Sequence, residues 1–243
     1  MCTVSWIHDS EGYQLLCNRD EKLTRAAALP PQIRNRDGVR YLAPVDGNFG
    51  GAWIGTNEFG VSICLLNGAR RSVVETRIGG LRSRGLLLPE LLVASTLFEV
   101  NERIWHTDLQ SYAPFTLAVL EPGQPTSVTE WDGLEKMIVP YGEGYMPLVS
   151  SSFDPDGVRT RRREEFRRKV DAAGRLDASL LFMFHGSHGD KRDAYSPCMH
   201  RTDARTVSFS WIRVTSESAK FLYVPDSPCQ GSPGQSQTIE LAR

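Results

Sequence analysis

The stretch MCTVSWIHDSEGYQLLCNRDE, residues 1–21, carries the strongest fold signal in this 243-residue chain. It contains two short apolar runs, 2–7 and 13–17, separated by a polar segment that includes a glycine. Two such runs around a glycine-containing loop are typical of a β-hairpin. Because neighbouring strands lie about 5 Å apart, this hairpin would return the tetrapeptide NRDE at 18–21 to the start of the first strand.

Cys2 directly follows Met1, which is commonly removed when the next residue is small. Removal would give Cys2 a free α-amine beside its own thiol. An α-amine titrates near ~7.7–8.0 and a thiol near ~8.5, so one residue would supply both base and nucleophile. On the returning strand, Arg19 would stabilise the thiolate and Asp20 would orient the amine. The alternatives are a small buried residue at a strand start and an exposed ion pair at the hairpin end.

Further motifs extend this pattern along the chain. MCT at 1–3, NRDE at 18–21, GGAWIGTN at 50–57, LLN at 65–67 and SRG at 83–85 together resemble the NRDE family, which includes the transport and Golgi organisation protein 2 group. That family is similar to N-terminal nucleophile hydrolases of the penicillin V acylase and bile-salt hydrolase type. The resemblance implies an α+β fold, a four-layer αββα sandwich of two largely antiparallel sheets with helices on their outer faces.

The same resemblance implies roles for individual residues. Cys2 corresponds to the nucleophile, Asp20 to the partner of its α-amine, and Arg19 to the basic neighbour. Asn67 corresponds to an oxyanion-hole donor, a group whose loss costs about 2.7–4 kcal/mol in other acyl-transfer sites. The predicted substrate-binding residues are Asn18, Trp53 and Asn57.

Two members of the hydrolase site have less direct counterparts. Where the relatives have a second asparagine, this chain has three serines at 150–152, and Ser151 is the predicted substitute because a hydroxyl can donate one hydrogen bond. The late arginine of the hydrolases corresponds to Arg201 or Arg205. The sequence does not choose between them, and Arg205 is the predicted catalytic residue.

A second group of residues has the chemistry of metal ligands. Cys198 and His200 are two apart, which places their side chains on one face of a strand, and His185 and His188 lie nearby in sequence. Two ligands on one strand do not make a site. We therefore predict a core cysteine and a loop histidine here, and no metal site.

Composition limits the classes of partner. Twenty-eight basic and 29 acidic residues leave a formal net charge of −1, which argues against a nucleic-acid binder. No run approaches the ~18 apolar residues of a membrane helix, which predicts no stable membrane insertion. The N-terminus lacks the features of a secretory signal, and the five cysteines are widely spread. Together these features predict reduced thiols and a cytoplasmic location.

Periodicity and turn residues predict the remaining elements. The predicted strands are 51–56, 60–66, 115–120, 127–131 and 206–214, and the predicted helices are 83–97 and 159–173. The arginine-rich helix 159–173 is interpreted as a solvated helix with supportive charge pairs rather than a nucleic-acid-binding one. Residues 22–45 are predicted as a loop, 225–243 as a flexible tail, and 1–243 as a single domain.

Two functions are consistent with these patterns. The first is an N-terminal cysteine amidohydrolase or acyltransferase that acts on a small amide or acyl substrate without a cofactor. The second, implied by the resemblance, is a non-catalytic carrier with haem or lipid as its ligand. The substrate and the oligomeric state are not predicted.

Overall fold

The computed structural model describes residues 2–68, 81–230 and 236–243. Met1 lies outside the described residues, as do residues 231–235 of the predicted tail. The strands are β1 (Cys2–Asp9), β2 (Gly12–Lys22), β3 (Leu29–Arg36), β4 (Val39–Val45), β5 (Ile54–Asn57), β6 (Ser62–Asn67), β7 (Phe115–Leu120), β8 (Ser127–Trp131), β9 (Lys136–Val139), β10 (Leu148–Ser150), β11 (Ala204–Thr215), β12 (Ser218–Val224) and β13 (Gln237–Ala242). The α-helices are α1 (Leu87–Leu91), α2 (Leu97–His106), α3 (Pro155–Ala173) and α4 (Ala178–His185). Among these helices, none is long and apolar enough to cross a membrane.

The strands form two sheets. The first sheet has the order β10-β1-β2-β11-β12-β13, and the second has the order β3-β4-β5-β6-β7-β8-β9. All the pairings between neighbouring strands are antiparallel. The centre of the first sheet therefore joins β2, from the start of the chain, to β11, from its last fifth.

Three apolar clusters show how the sheets and helices stack. Leu15 of the first sheet belongs to the cluster that also contains Ile54 and Leu66 of the second, so the sheets pack face to face. The next residue, Leu16, points the other way because strand side chains alternate, and it packs with Phe184 of α4. Helices α1 and α2 cover the outer face of the second sheet. This stacking confirms the predicted αββα sandwich.

The predicted hairpin is formed by β1 and β2, with a register that runs from Asp9 opposite Gly12 to Cys2 opposite Arg19. A β-carbon at Gly12 would lie 2.0 Å from a backbone oxygen of β11, so only glycine allows that strand to approach the turn. Directly opposed residues point to the same face of a sheet. The side chains of Cys2 and Arg19 therefore share the face toward the second sheet, whereas that of Asp20 points toward the helices.

Two segments have a secondary structure that differs from the predicted one. The predicted loop 22–45 contains β3 and β4. Its prolines, Pro30 and Pro31, weaken the strand signal, but β3 is an edge strand, where a missing amide donor is tolerated. The predicted helix 83–97 is divided into a 3-10 turn, Arg84–Leu86, followed by α1 and the start of α2.

The predicted flexible tail also needs correction. Residues 237–242 form β13, which extends the first sheet by pairing with β12, and Leu241 is buried against the core between the sheets. The alternation that marks this strand is weak, since Leu241 is its one fully buried residue. Pairing with the preceding strand, β12, together with burial of Leu241, orders this segment.

Helix α3 confirms the predicted element, and one of its arginines is buried although the helix is predicted to be solvated. Arg162 is only 1% exposed, on the same stripe as buried Val158 and Phe166. Its Nη1 donates to Oδ2 of Asp20 at 2.9 Å and also to Oγ1 of Thr3. The helix is thus attached to both strands of the N-terminal hairpin by a buried charge.

A buried histidine attaches α4 to the same hairpin. The Nε2 atom of His185 shares a hydrogen bond with Oγ of Ser5 at 2.8 Å, and the backbone oxygen of His185 accepts from Nδ2 of Asn18 at 2.9 Å. Complete burial lowers the pKa of His185 to about 3. The imidazole is therefore neutral in the folded protein at physiological pH.

Replacing Arg162 with alanine should destabilise the protein strongly, because the buried carboxylate of Asp20 would lose its counter-charge. Breaking one side of a buried ion pair costs about 3–5 kcal/mol. Urea unfolding should show this as a lower midpoint with an unchanged slope. The matched control is Arg161→Ala on the exposed face of α3, which should change stability by less than about 1 kcal/mol. Equal effects of the two substitutions would contradict this account.

Acid should destabilise the fold through His185. The unfolded chain binds a proton there with a pKa near ~6.5, whereas the folded chain binds it with a pKa of about 3. The contribution of His185 to the free energy of unfolding is therefore fully present above pH ~6.5 and is lost as the pH falls toward 3. The loss at pH 5 is about 2 kcal/mol. Unfolding free energies measured between pH 7 and 5 should vary less in His185→Gln than in the wild type. If the free energy of unfolding of His185→Gln fell with pH as steeply as that of the wild type, His185 would not be the cause of the acid destabilisation. His106→Gln, at an exposed position, provides the control.

Candidate active site

A cavity of about 380 Å³ lies between the two sheets at the start of β1. Residues from both sheets and from the segment before α1 line it, among them Cys2, Arg19, Trp53, Asn67 and Arg84. The alternation of the strands explains this grouping, since Cys2 and Arg19 share the inner face of the first sheet. The structure thus brings five of the predicted site residues to one cavity, namely Cys2, Arg19, Asp20, Trp53 and Asn67.

Cys2 is 6% exposed and is held from two directions. Its backbone nitrogen donates to Oγ of Ser150 at 3.0 Å, across the pairing of β1 with β10. A hydrogen bond to the sulfur of Cys17, followed by burial, raises the pKa of the Cys2 thiol well above its usual range. The thiol is therefore protonated at neutral pH in this state, and reaction at sulfur requires a base to take its proton.

Arg19 is held by Asp46, for which the sequence predicts no role, and by Trp53, a predicted substrate-binding residue. Its Nη2 donates to Oδ2 of Asp46 at 2.5 Å, and its guanidinium carbon lies 4.2 Å from the ring centroid of Trp53. Asp46 also accepts from Arg25 at 2.7 Å. Arg19 is thus a fixed wall of the cavity, with its charge shared between a carboxylate and an aromatic ring.

Asp20 also borders the cavity, but its carboxylate is engaged on the helical side of β2. One oxygen accepts from Arg162 at 2.9 Å, and the other accepts from Oγ1 of Thr206 at 2.6 Å. Asp20 is completely buried. These contacts set the orientation of the carboxylate next to the start of the chain, and its contact with a processed α-amine stays a prediction.

The two asparagines predicted to bind substrate have structural roles outside the cavity lining. The amide nitrogen of Asn57 donates to the backbone oxygens of Leu92 and Ala94, and its amide oxygen caps the β5–β6 turn by accepting from Val61. Asn18 points toward the helices, where it donates to the backbone oxygen of Pro197. Neither side chain lines the cavity, because that of Asn57 is fully hydrogen-bonded and that of Asn18 points to the outer face of the first sheet.

Ser151, predicted to replace the second asparagine, also lies outside the cavity lining. Its Oγ donates to the backbone oxygen of Phe153 at 2.5 Å within an exposed turn. Its neighbour Ser150 is the residue that accepts from the nitrogen of Cys2. The sequence does not distinguish the two serines because the choice depends on the register between β10 and β1, and a shift of one residue reverses the face.

Arg205 does not reach the cavity either. It is 40% exposed at its side chain and pairs with Asp226 at 3.4 Å, while the alternative, Arg201, pairs with Asp203. Among the arginines that line the cavity instead is Arg84, whose Nη1 donates to the backbone oxygen of Pro114 at 2.7 Å. Arg84 belongs to the motif SRG at 83–85, which is the sequence feature that could have indicated it as a site residue.

The residues with metal-ligand chemistry also come together, on the helical side of the first sheet. Ligand atoms of His188, Cys198 and His200 lie within 4.8 Å of one another, and Cys229 from the predicted tail completes the group. His185 is not part of it, since it is buried at the end of α4 against Ser5. The pair considered from sequence is therefore half of a set of four.

Solved structures with the same arrangement of sheets and helices are hydrolases by name. Penicillin V acylase from Agrobacterium tumefaciens has a TM-score of 0.55 and 10% identity, over 100% of this chain and 86% of that one. The C2A mutant of the conjugated bile acid hydrolase from Clostridium perfringens has a TM-score of 0.57 and 11% identity, over 99% and 92%. The N-acylethanolamine-hydrolyzing acid amidase ortholog from Caenorhabditis elegans has a TM-score of 0.59 and 13% identity, over 97% and 95%. At such identities the likeness shows the fold alone.

Comparison of the sequence with curated proteins gives no match. The family model described as Transport and Golgi organisation 2 matches residues 1–184, which include the N-terminal hairpin and the strands that line the cavity. The chain therefore belongs to the Transport and Golgi organisation 2 family, and it has the fold of the N-terminal nucleophile hydrolases.

Proposed function

We propose that this protein is an N-terminal cysteine amidohydrolase or acyltransferase that acts on a small amide or acyl substrate. The observation that carries the proposal is the position of Cys2, whose side chain lines a cavity together with Arg19 and Asn67. The backbone nitrogen of Cys2, which would become the α-amine after removal of Met1, already has a polar partner in Ser150. Nucleophile, base and oxyanion donor would thus face one space.

The proposed reaction begins with a proton transfer. The free α-amine of Cys2 takes the thiol proton, and the sulfur attacks the carbonyl carbon of the substrate. The hydrogen bond from Cys2 to Cys17 and the burial that raise the thiol pKa make this base necessary. The resulting oxyanion accepts a hydrogen bond from the side-chain amide of Asn67, at the end of β6.

The second half of the reaction releases the acyl group. The tetrahedral intermediate collapses, the carbon–nitrogen bond breaks, and the leaving amine takes the proton from the α-ammonium group. This leaves a thioester on Cys2. Water or a second amine then attacks the thioester and returns a proton through the α-amine to the sulfur, which yields an acid or a new amide.

The cavity favours a small polar substrate. Arg82 and Arg84 border it on the side of the segment before α1, and Arg25 borders it on the side of Asp46. A carboxylate or another anionic group on the substrate would find basic partners there. The names of the similar structures, an acylase, a bile acid hydrolase and an acid amidase, support acyl transfer from an amide as the reaction class.

Substitution of Cys2 by alanine should abolish turnover, a loss of at least about 10³-fold, because the proposed nucleophile is removed. A screen of small linear amides should be run with the wild type, Cys2→Ala and the control Cys64→Ala. Cys64 is buried at 0% exposure in the core between the sheets and has no proposed chemical role. Intact mass should show that Met1 has been removed.

Retained Met1 on active protein would contradict the mechanism, since the α-amine would then belong to the wrong residue. Turnover by Cys2→Ala would contradict the nucleophile. Haem or lipid that binds tightly to both wild type and Cys2→Ala, with no turnover of any amide, would favour a carrier instead.

Ser150→Ala should reduce kcat, because the processed amine of Cys2 would lose the hydroxyl that now accepts from this nitrogen. A hydrogen bond to a charged group contributes about 1.5–3 kcal/mol, so the expected loss is about 10- to 100-fold. Ser151→Ala is the matched control, since its hydroxyl closes an exposed turn, and it should retain normal kcat. The reverse order of effects would assign the role to Ser151 after all.

A further inference from the structure

A group of four side chains lies apart from the cavity, and the proposed reaction does not use it. His188 lies in the loop after α4, Cys198 and His200 lie in the segment that leads into β11, and Cys229 follows β12. One ligand atom from each lies within 4.8 Å of the other three. Three separate segments of the chain therefore converge on one point.

The distances within this group match those between ligands of one tetrahedral ion. The sulfur of Cys198 lies 3.6 Å from Nε2 of His200, and the sulfur of Cys229 lies 3.3 Å from the same nitrogen. Zinc binds thiolate sulfur at about 2.3 Å and imidazole nitrogen at about 2.0–2.1 Å, which separates the two ligand atoms by about 3.5 Å in a tetrahedron. The ring centroids of His188 and His200 are 5.1 Å apart.

His188 gives an independent indication of a missing partner. Its Nε2 atom is buried and makes no hydrogen bond within the described part of the chain. Buried polar atoms are normally satisfied, because desolvation without a partner costs free energy. An unprotonated imidazole nitrogen is the atom that a metal ion binds, so an ion beside His188 would supply the missing partner.

The backbone holds these residues in place before any ion binds. The nitrogen of Cys198 donates to the backbone oxygen of Ser187 at 2.9 Å. Between Cys198 and His200, Met199 exchanges hydrogen bonds with Thr206, whose hydroxyl accepts from the nitrogen of Met199 at 2.8 Å. Cys198 and His200 therefore lie on a segment with a defined conformation.

We propose that His188, Cys198, His200 and Cys229 bind one Zn²⁺ ion. Each thiol gives up its proton to solvent on binding, so two thiolates balance the charge of the ion and no electron is transferred. Soft sulfur with imidazole nitrogen selects zinc over magnesium or calcium, which prefer oxygen ligands. The protein fills all four positions, so the site is structural and has no open position for a substrate.

Such an ion would stabilise the segments that pack behind the N-terminal hairpin. Thr206, which bonds to Met199 between two of the ligands, also donates to Asp20 at 2.6 Å. Zinc would join the loop after α4, the start of β11 and the segment after β12 behind that carboxylate. This role does not depend on whether Cys2 is a nucleophile.

The test uses the full-length chain purified under reducing conditions. Elemental analysis after incubation with zinc and removal of free metal should give about one zinc per chain. Cobalt added in place of zinc should produce the visible bands of tetrahedral Co²⁺ and the near-ultraviolet bands of thiolate–cobalt charge transfer. Removal of the metal with a chelator should lower the Tm by more than about 5 °C.

Cys229→Ser and His188→Gln should each lose the cobalt spectrum and bind zinc at least about 10-fold more weakly, because a four-ligand site would become a three-ligand one. Cys229 is exposed, so its substitution should leave the circular dichroism spectrum unchanged. Cys64→Ser and His106→Gln are the matched controls outside the group and should bind normally.

Three results would overturn the proposal. The first is the absence of bound zinc and of cobalt bands in wild-type protein whose thiols are shown to be reduced. The second is a complete cobalt spectrum in both Cys229→Ser and His188→Gln. The third is a Cys198–Cys229 disulfide that persists in reductant, which would identify the sulfur pair as a covalent bond instead of a metal site.

Discussion

A carboxylate with no exposure to solvent must be neutralised, and the pairing of Asp20 with Arg162 meets this requirement. The pair joins β2 to α3, and the second oxygen of Asp20 joins β2 to β11 through Thr206. Because Arg162 also donates to Thr3, the same charge fixes both strands of the N-terminal hairpin. The position of Cys2 follows from these contacts, since Thr3 is its direct neighbour.

The two faces of β2 have different roles in the structure. On the inner face, Arg19 lies opposite Cys2 and borders the cavity with Trp53. On the outer face, Asn18 and Asp20 bond to α3, to the end of α4 and to β11 and the loop before it. One face of β2 therefore borders the cavity, and the other face attaches the strand to the helices and to β11. The NRDE tetrapeptide contributes to both, because its residues alternate between the faces.

The environment of the Cys2 thiol is consistent with a nucleophile that is inactive until it is processed. A hydrogen bond to the neighbouring thiol of Cys17 and burial favour the protonated sulfur of Cys2. The positive charge of Arg19, which also borders the cavity, is already paired with the carboxylate of Asp46. Under the proposed mechanism, a free α-amine would supply the missing base. Such an arrangement would keep the thiol unreactive until Met1 has been removed.

The sequence alone determined the hairpin and the place of Cys2 and Arg19, because these depend on alternation, turn residues and short spacings. Its motifs indicated the family, and the αββα sandwich followed from that resemblance. Only the tertiary structure decided the partners that come from distant segments. It placed Ser150 at Cys2 in place of Ser151, Arg84 at the cavity in place of Arg205, and Cys229 beside three other potential ligands. The physical reason is that strand register and helix packing choose which face each side chain occupies. That choice is made by contacts between residues on separate segments of the chain, such as Arg162 with Asp20, which leave no local pattern in the sequence.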